Sequence, residues 1–181
     1  LTEASEYCMG FLCADGCCIA DGSGSPQIIL VLARKDRGHV EKFRAFLKST
    51  HAILDVVNTS SKGYHDGKGG KASTFRVRSH RLYEALQRRG MASKSPERIP
   101  TSELENSPHF WRGCVDGDGW VYLSKMRSCG PVIGLCGTMN IISQFKDFVT
   151  ARVPDCRASI LTNGPNCWKF QTSGHKAAEL I

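Results

Sequence analysis

Two stretches hold the residues whose types and spacing could do chemistry. Cys8 to Gly16 and Arg112 to Gly119 are each a short apolar run that keeps a glycine, then a small residue, then Asp-Gly. The first places Gly10 and Ala14, and the second Gly113 and Gly117, at i and i+4 on one helix face. That spacing leaves a flat strip on which another helix backbone can lie close. Asp15 and Asp118 then end their helices, each followed by a glycine suited to a helix exit. With the strips packed together the carboxylates come side by side. Anionic oxygens from both sides are what divalent cations need to be held over a scissile phosphate.

One such stretch alone reads as a capped core helix. A calcium loop starting at Asp116 is excluded, because Trp120 stands where a third ligand is needed and no Glu closes the loop. The reading changes because there are two copies, and because the segments downstream of each copy also repeat.

After a first helix capped by Thr2, the pattern predicts a strand over Cys17–Asp21, a turn over Gly22–Pro26 and a return strand over Gln27–Lys35. Asp36 is placed to cap a second helix, with Val40, Phe43, Phe46 and Leu47 at helical spacing. Ile53–Asn58 reads as a strand and Ser60–Ala72 as a long polar loop. Thr74–Arg78 alternates strictly, Phe75 and Val77 against Arg76 and Arg78. A third helix over Arg81–Arg89 stops at Gly90. The second half keeps the same order: Ser107 as cap with Pro108 at the first helical position, a strand from Trp120, a return strand Val132–Cys136, and a helix capped by Thr138. Phe145 and Phe148 repeat Phe43 and Phe46, and Trp168–Thr172 repeats Phe75–Ser79. The expected fold is therefore α+β, a tandem αββαββα repeat with a pseudo-two-fold axis between the Asp-terminated helices. The repeats span 1–90 and 102–181, joined by a polar linker at 91–101.

At 181 residues, 41% hydrophobic and 23% charged, the chain has the composition of a globular protein with a real core. The net charge of +7 points to a polyanionic partner. It is concentrated early: residues 1–95 hold 15 Lys/Arg against 9 Asp/Glu, residues 96–181 hold 9 against 8. No apolar run is long enough to span a membrane and no signal-peptide pattern opens the chain, which implies an intracellular protein. Nine cysteines without a C-x-x-C pair argue for buried reduced thiols rather than zinc.

With both motifs and the repeat in view, the chain resembles the single-chain LAGLIDADG homing endonucleases over essentially its whole length. The nine-residue signature stands as Cys8 to Gly16 and Trp111 to Gly119, with Asp15 and Asp118 at its acidic position. The opening pairs, Cys8-Met9 and Trp111-Arg112, and the sixth-position Cys13 depart from the family pattern at positions that pack rather than react. The resemblance implies two curved antiparallel sheets forming a saddle over double-stranded DNA. It implies Mg²⁺ held by Asp15 and Asp118 with backbone carbonyls of Ala14 and Gly117, and Ca²⁺ supporting binding without cleavage. It also implies site-specific cutting of both strands, as in intron or intein homing, by a monomer on a non-palindromic target.

For auxiliary catalysis the resemblance points to basic residues at the exit of the second strand, here Arg34 and Lys35. The matching place in the second half is Gly137-Thr138, so that assistance is one-sided. Lys169 is a further candidate for stabilising the phosphate. DNA contacts are expected from Arg34, Arg76, Arg78, Lys169 and Gln171, and from the hairpin residues Asp21, Ser23, Tyr122, Ser124 and Arg127. Lys62, Lys68 and Lys71 of the long loop are expected on backbone phosphates. Trp111, Trp120 and Trp168 read as packing residues. The competing functions are an RNA-binding intron maturase and a nuclease-inactive DNA-binding regulator on the same scaffold. A phosphate-binding Gly-rich loop and Ser or Cys nucleophile motifs are absent.

Overall fold

The computed structural model describes residues 1–20, 24–58, 70–91, 97–124, 130–156 and 159–174. The chain packs as two compact units: residues 15–84, and residues 1–14 together with 85–181. Packing thus divides the chain differently from the duplication, because the body of the first helix belongs with the second repeat.

Helix α1 (Glu3–Asp15) starts at Thr2, whose hydroxyl accepts from Ser5 N at 3.3 Å, with Glu3 and Glu6 in the favourable first turn. In the unit of residues 15–84, β1 (Gly16–Ile19), β2 (Gln27–Ala33), β3 (Ile53–Asn58) and β4 (Gly70–Arg78) form an antiparallel sheet in the order β1-β2-β4-β3. Helix α2 (Arg37–Phe46) covers one face, setting Phe43 edge-on to Phe75 with ring centroids 5.9 Å apart. Helix α3 (His80–Gln87) comes next, and its exit turns at Gly90 (φ 78°), where the carbonyl of Ile99 leaves no room for a side chain.

Three expectations shift here. Strand β2 ends at Ala33, and Arg34–Asp36 form a 3₁₀ turn as the chain swings into α2. Asp36 holds the N-cap position of α2 without a side-chain capping hydrogen bond. Strand β4 starts at Gly70 rather than Thr74. Its backbone pairs on both sides, Asn58 with Gly70 and Ala33 with Ala72, and that ladder outweighs the low strand propensity of a Gly/Ser-rich segment.

In the other unit, α4 (Ser102–Glu105) leads into α5 (Pro108–Asp118), β5 (Gly119–Leu123), β6 (Pro131–Gly137), α6 (Met139–Arg152), β7 (Ser159–Thr162) and β8 (Trp168–Ser173). The sheet order β5-β6-β8-β7 is that of the first sheet, each strand replaced by its counterpart. The stretch where the repeat leads one to expect a final helix, 175–181, lies outside the described residues. Ser107 caps α5 by accepting from Phe110 N at 3.1 Å, with Pro108 next to it, as the sequence indicated. Thr138 occupies the N-cap of α6 without a capping hydrogen bond, and its buried hydroxyl has no partner among the described residues. Trp111 is core: it packs on Phe110, Phe145 and Phe148. That contact explains why Phe148 is buried while its counterpart Phe46 is 39% exposed.

The described part of the expected linker is not a free spacer. Ile99 N donates to Gly90 O and Thr101 N to Arg89 O, while Pro100 O accepts from the Gln144 side chain. Met91 and Arg98 are buried.

Candidate active site and nucleic-acid interface

α1 and α5 meet backbone to backbone. A Cβ built on Gly10 would stand 1.9 Å from Phe110 O, and one on Gly113 would stand 2.2 Å from Tyr7 O. Tyr7 and Phe110 are repeat counterparts, as are Gly10 and Gly113, so the contact maps onto itself when the two helices exchange. Only residues without a side chain permit this approach. Polar ties fix the register: Ser107 Oγ donates to Glu6 Oε2 at 2.6 Å, and the Tyr7 hydroxyl donates to Asp116 Oδ2 at 2.8 Å. The Tyr7 hydroxyl's pKa is pushed up by burial and by that carboxylate, so it stays a donor.

Asp118 is the last residue of α5, and α5 opens directly into β5. Burial raises its pKa, opposed by the positive charge of Arg98, and burial prevails. Asp15 is the last residue of α1, in the same motif position. The α5 carboxylate is therefore held where its charge is poorly solvated, the environment that a bound cation relieves.

Sequence reasoning missed Arg98. It is 3% exposed, and its Nη1 donates to Cys13 O, in the last turn of α1, at 2.6 Å. A cation on the orphan carbonyls of a helix C-terminus satisfies both the hydrogen bond and the helix dipole. Arg98 lines a small cavity of about 50 Å³ with Cys13, Ala14, Cys114, Gly137, Thr138 and Ile141. Thr138, whose hydroxyl has no partner among the described residues, lies in this wall. The one available signal was Arg98's place beside Ile99-Pro100, an apolar pair in an otherwise polar stretch.

Among the described residues no three His, Cys, Asp or Glu side chains cluster as a metal site. The donors at the helix ends still fit a hard divalent cation, which takes carboxylate and backbone carbonyl oxygens rather than nitrogen or sulfur. Asp118 supplies such a carboxylate, and Gly117 and Ala14 lie in last turns whose carbonyls are orphaned by the helix itself. Cys114 does not compete, because burial first and the neighbouring Cys13 second push its thiol well above its ordinary range.

The remaining candidates separate by face. In residues 15–84, Arg76 and Arg78 are exposed on the side of the sheet away from α2, with no ion pair among the described residues. Lys71 is exposed but has the parity of Ser73 and Phe75, on the α2 side, and lies within β4 rather than in a loop. Arg34 is engaged by Asp55 at 3.3 Å, beside Arg37 at 2.6 Å and the Ser73 hydroxyl at 2.7 Å. Hydrogen bonding from Ser73 comes first among the causes that lower the Asp55 pKa, so this cluster is ionised and occupies Arg34 on the α2 side. Lys35 is exposed in the 3₁₀ turn.

In the other unit, Tyr122, Lys169 and Gln171 share the face opposite Phe170, and Tyr122 is 50% exposed. Trp120 lies on this face over Gly134, whose missing side chain makes room for the indole. Ser124 is half-buried at the end of β5, its N–H on Gly130 O. Asp21, Ser23, Lys62, Lys68 and Arg127 lie outside the described residues.

No protein-family model matches the chain, and no curated protein does. Solved structures match over nearly all of it. Full-length DUF199/WhiA from Thermatoga maritima aligns with a TM-score of 0.60 at 13% identity, covering 98% of this chain and 53% of that one. Mesophilic variants of the homing endonuclease I-DmoI align at 0.59 and 13% identity, covering 99% and 93%. I-SmaMI bound to its uncleaved DNA target in the presence of calcium ions aligns at 0.56 and 10% identity, covering 99% and 81%. At these identities the likeness is one of fold, and the fold is that of LAGLIDADG domains.

Proposed function

We infer that this chain, on its LAGLIDADG fold, is a divalent-metal-dependent endonuclease. It acts as a monomer on both strands of a long, non-palindromic duplex DNA site. The observation that carries the reading is Asp118: a half-buried carboxylate at the end of one of two glycine-apposed helices, with Asp15 ending the other in the same motif. A structural salt bridge would explain a buried carboxylate whose pKa is lowered, but here burial raises it. The likeness to I-SmaMI bound to an uncleaved DNA target in the presence of calcium ions supports both duplex DNA and a divalent cation as partners.

In this reading Asp15 and Asp118, with the Ala14 and Gly117 carbonyls, would hold Mg²⁺, whose charge would offset that of the scissile phosphate and acidify a water. The protein's own contribution is positional. The glycine contact sets how closely α1 and α5 approach, and Arg98 anchors the last turn of α1. Lys35 and Lys169 place positive charge near the phosphate as it gains charge in the transition state. Arg76, Arg78, Tyr122, Lys169 and Gln171 present hydrogen-bonding groups from strands, which enter a major groove as ribbons. The repeats at 1–90 and 102–181 give two independently variable reading surfaces.

Selection from a randomised duplex library in Ca²⁺, with the enriched duplexes then transferred to Mg²⁺, tests this. Enrichment and then cutting of both strands at one position is expected. A second reading is a DNA-binding protein without nuclease activity on the same fold, which is not confined to homing endonucleases: full-length DUF199/WhiA fits as well as I-DmoI. Enrichment without cutting would select it.

A further inference from the structure

The face of the β1-β2-β4-β3 sheet turned away from α2 changes character along the strands. At one end Arg78 pairs across with Gln27 and Arg76 with Ile29. At the other, Val31, Leu54 and Val56 are 44%, 60% and 41% exposed around Thr74 and Ala72. An open groove of about 640 Å³ runs over this block. A single exposed aliphatic residue needs no explanation, but a contiguous block on one sheet face does. In the other unit the corresponding face carries Tyr122, Lys169 and Gln171 around one exposed aliphatic residue among those described, Leu161, the counterpart of Leu54, so the contiguous block distinguishes residues 15–84.

We propose that this aliphatic block reads thymine methyl groups in the major groove of the half-site contacted by residues 15–84, an inference that rests on the duplex-DNA function above. The thymine C5 methyl is the apolar group that an unmodified base pair presents in that groove, and side-chain methyls recognise it by contact. Geometry agrees with a duplex. Side chains two apart on a strand share a face and stand about 6.8 Å apart, close to two base steps of about 3.4 Å. Ile29 and Val31 on β2, and Leu54 and Val56 on β3, are such pairs. Charge selects the occupant. Arg76 and Arg78 continue the same face, and residues 15–84 hold 12 Lys/Arg against 7 Asp/Glu. An apolar protein partner would bury those guanidinium groups uncompensated, whereas a duplex brings phosphates to them.

The test replaces thymine by uracil, one position at a time, in a duplex enriched from the random library, with affinity measured in Ca²⁺. Uracil pairs as thymine does and lacks only the methyl. Burial of one methyl corresponds to a factor of about four in affinity, so a loss of about four-fold is expected at two or more positions within one half-site. Val31→Ser and Leu54→Asn, at exposed positions where the fold tolerates them, are expected to erase the uracil penalty at their own positions and keep it at others. Tight binding indifferent to uracil everywhere overturns the inference and leaves the DNA-binding function standing. Failure of the library to enrich any duplex overturns the function beneath it. Sedimentation as a dimer that Leu54→Asn converts to a monomer assigns the block to a second copy of the chain and likewise overturns it.

Discussion

Gly10→Ala separates helix propensity from helix packing, because the two effects have opposite signs. Inside a solvent-facing helix, Gly to Ala stabilises by about 1 kcal/mol. At Gly10 the new methyl would stand 1.9 Å from the carbonyl oxygen of Phe110 and 3.0 Å from the backbone N of Cys114. Ordinary van der Waals contact begins at 3.4 Å, so α1 and α5 must part by about 1.5 Å. The opposing atoms are backbone, and no rotamer change relieves them. Overpacking of this kind costs about 3 kcal/mol, leaving a net loss of about 2 kcal/mol. For a chain of this size that lowers Tm by about 4–8 °C. Gly38→Ala in the first turn of α2, where nothing among the described residues lies within 4 Å, is the control and is expected to raise Tm by up to about 2–4 °C. Because displacement of about 1 Å in a catalytic site costs about 100-fold in rate, Gly10→Ala should also lose cleavage by at least that factor. Thermal melts of both variants decide the point. A Gly10→Ala protein as stabilised as Gly38→Ala would refute the close helix contact and the positioning role built on it.

Asp118→Asn is expected to stabilise the metal-free protein while abolishing cleavage. Burial raises the folded-state pKa of Asp118, so the burial penalty is fully present above that pKa, fades as pH falls through it, and is absent below the unfolded value of about 4. The stability gap between variant and wild type in EDTA should therefore be widest at neutral pH and close on acidification, as tracked by denaturant melts. Arg98→Met should destabilise by about 2–3 kcal/mol, through loss of the charged hydrogen bond to Cys13 O, measured by urea unfolding. Lys169→Ala should weaken duplex binding and reduce the slope of log affinity against log salt by about 1. Lys71→Ala, on the α2 side of its sheet, should leave that slope unchanged.

Local chemistry made much of this molecule legible from its residues. Gly10 and Gly113 announced the helix contact, Ser107-Pro108 the start of α5, and Gly90 the exit of α3. The shared spacing of Phe43 and Phe145 exposed the repeat, and the two sheets share one strand order, as a repeat requires. What escaped depends on partners far apart in the chain. Whether Arg34 reaches outward or pairs with Asp55 is decided by how β3 registers on β4, through Ser73 opposite Asp55. Lys71 looked like a loop residue because its Gly/Ser-rich surroundings have weak strand propensity, and pairing on two sides draws it into β4. Arg98 sits in a stretch with two prolines and several charges, and its burial is fixed only by the chain folding back on Gly90 and Gln144.

The central claim is that Asp15 and Asp118 act as one centre. It is tested most directly by cleavage rates of the selected duplex with wild type, Asp15→Asn, Asp118→Asn and the double variant, with duplex binding in Ca²⁺ measured in parallel. Residues acting as a unit lose nearly everything on the first substitution. Each single variant is expected to be as inactive as the double while duplex binding survives. Cutting of both strands at the wild-type rate by either single variant, or losses that simply multiply in the double, would contradict it.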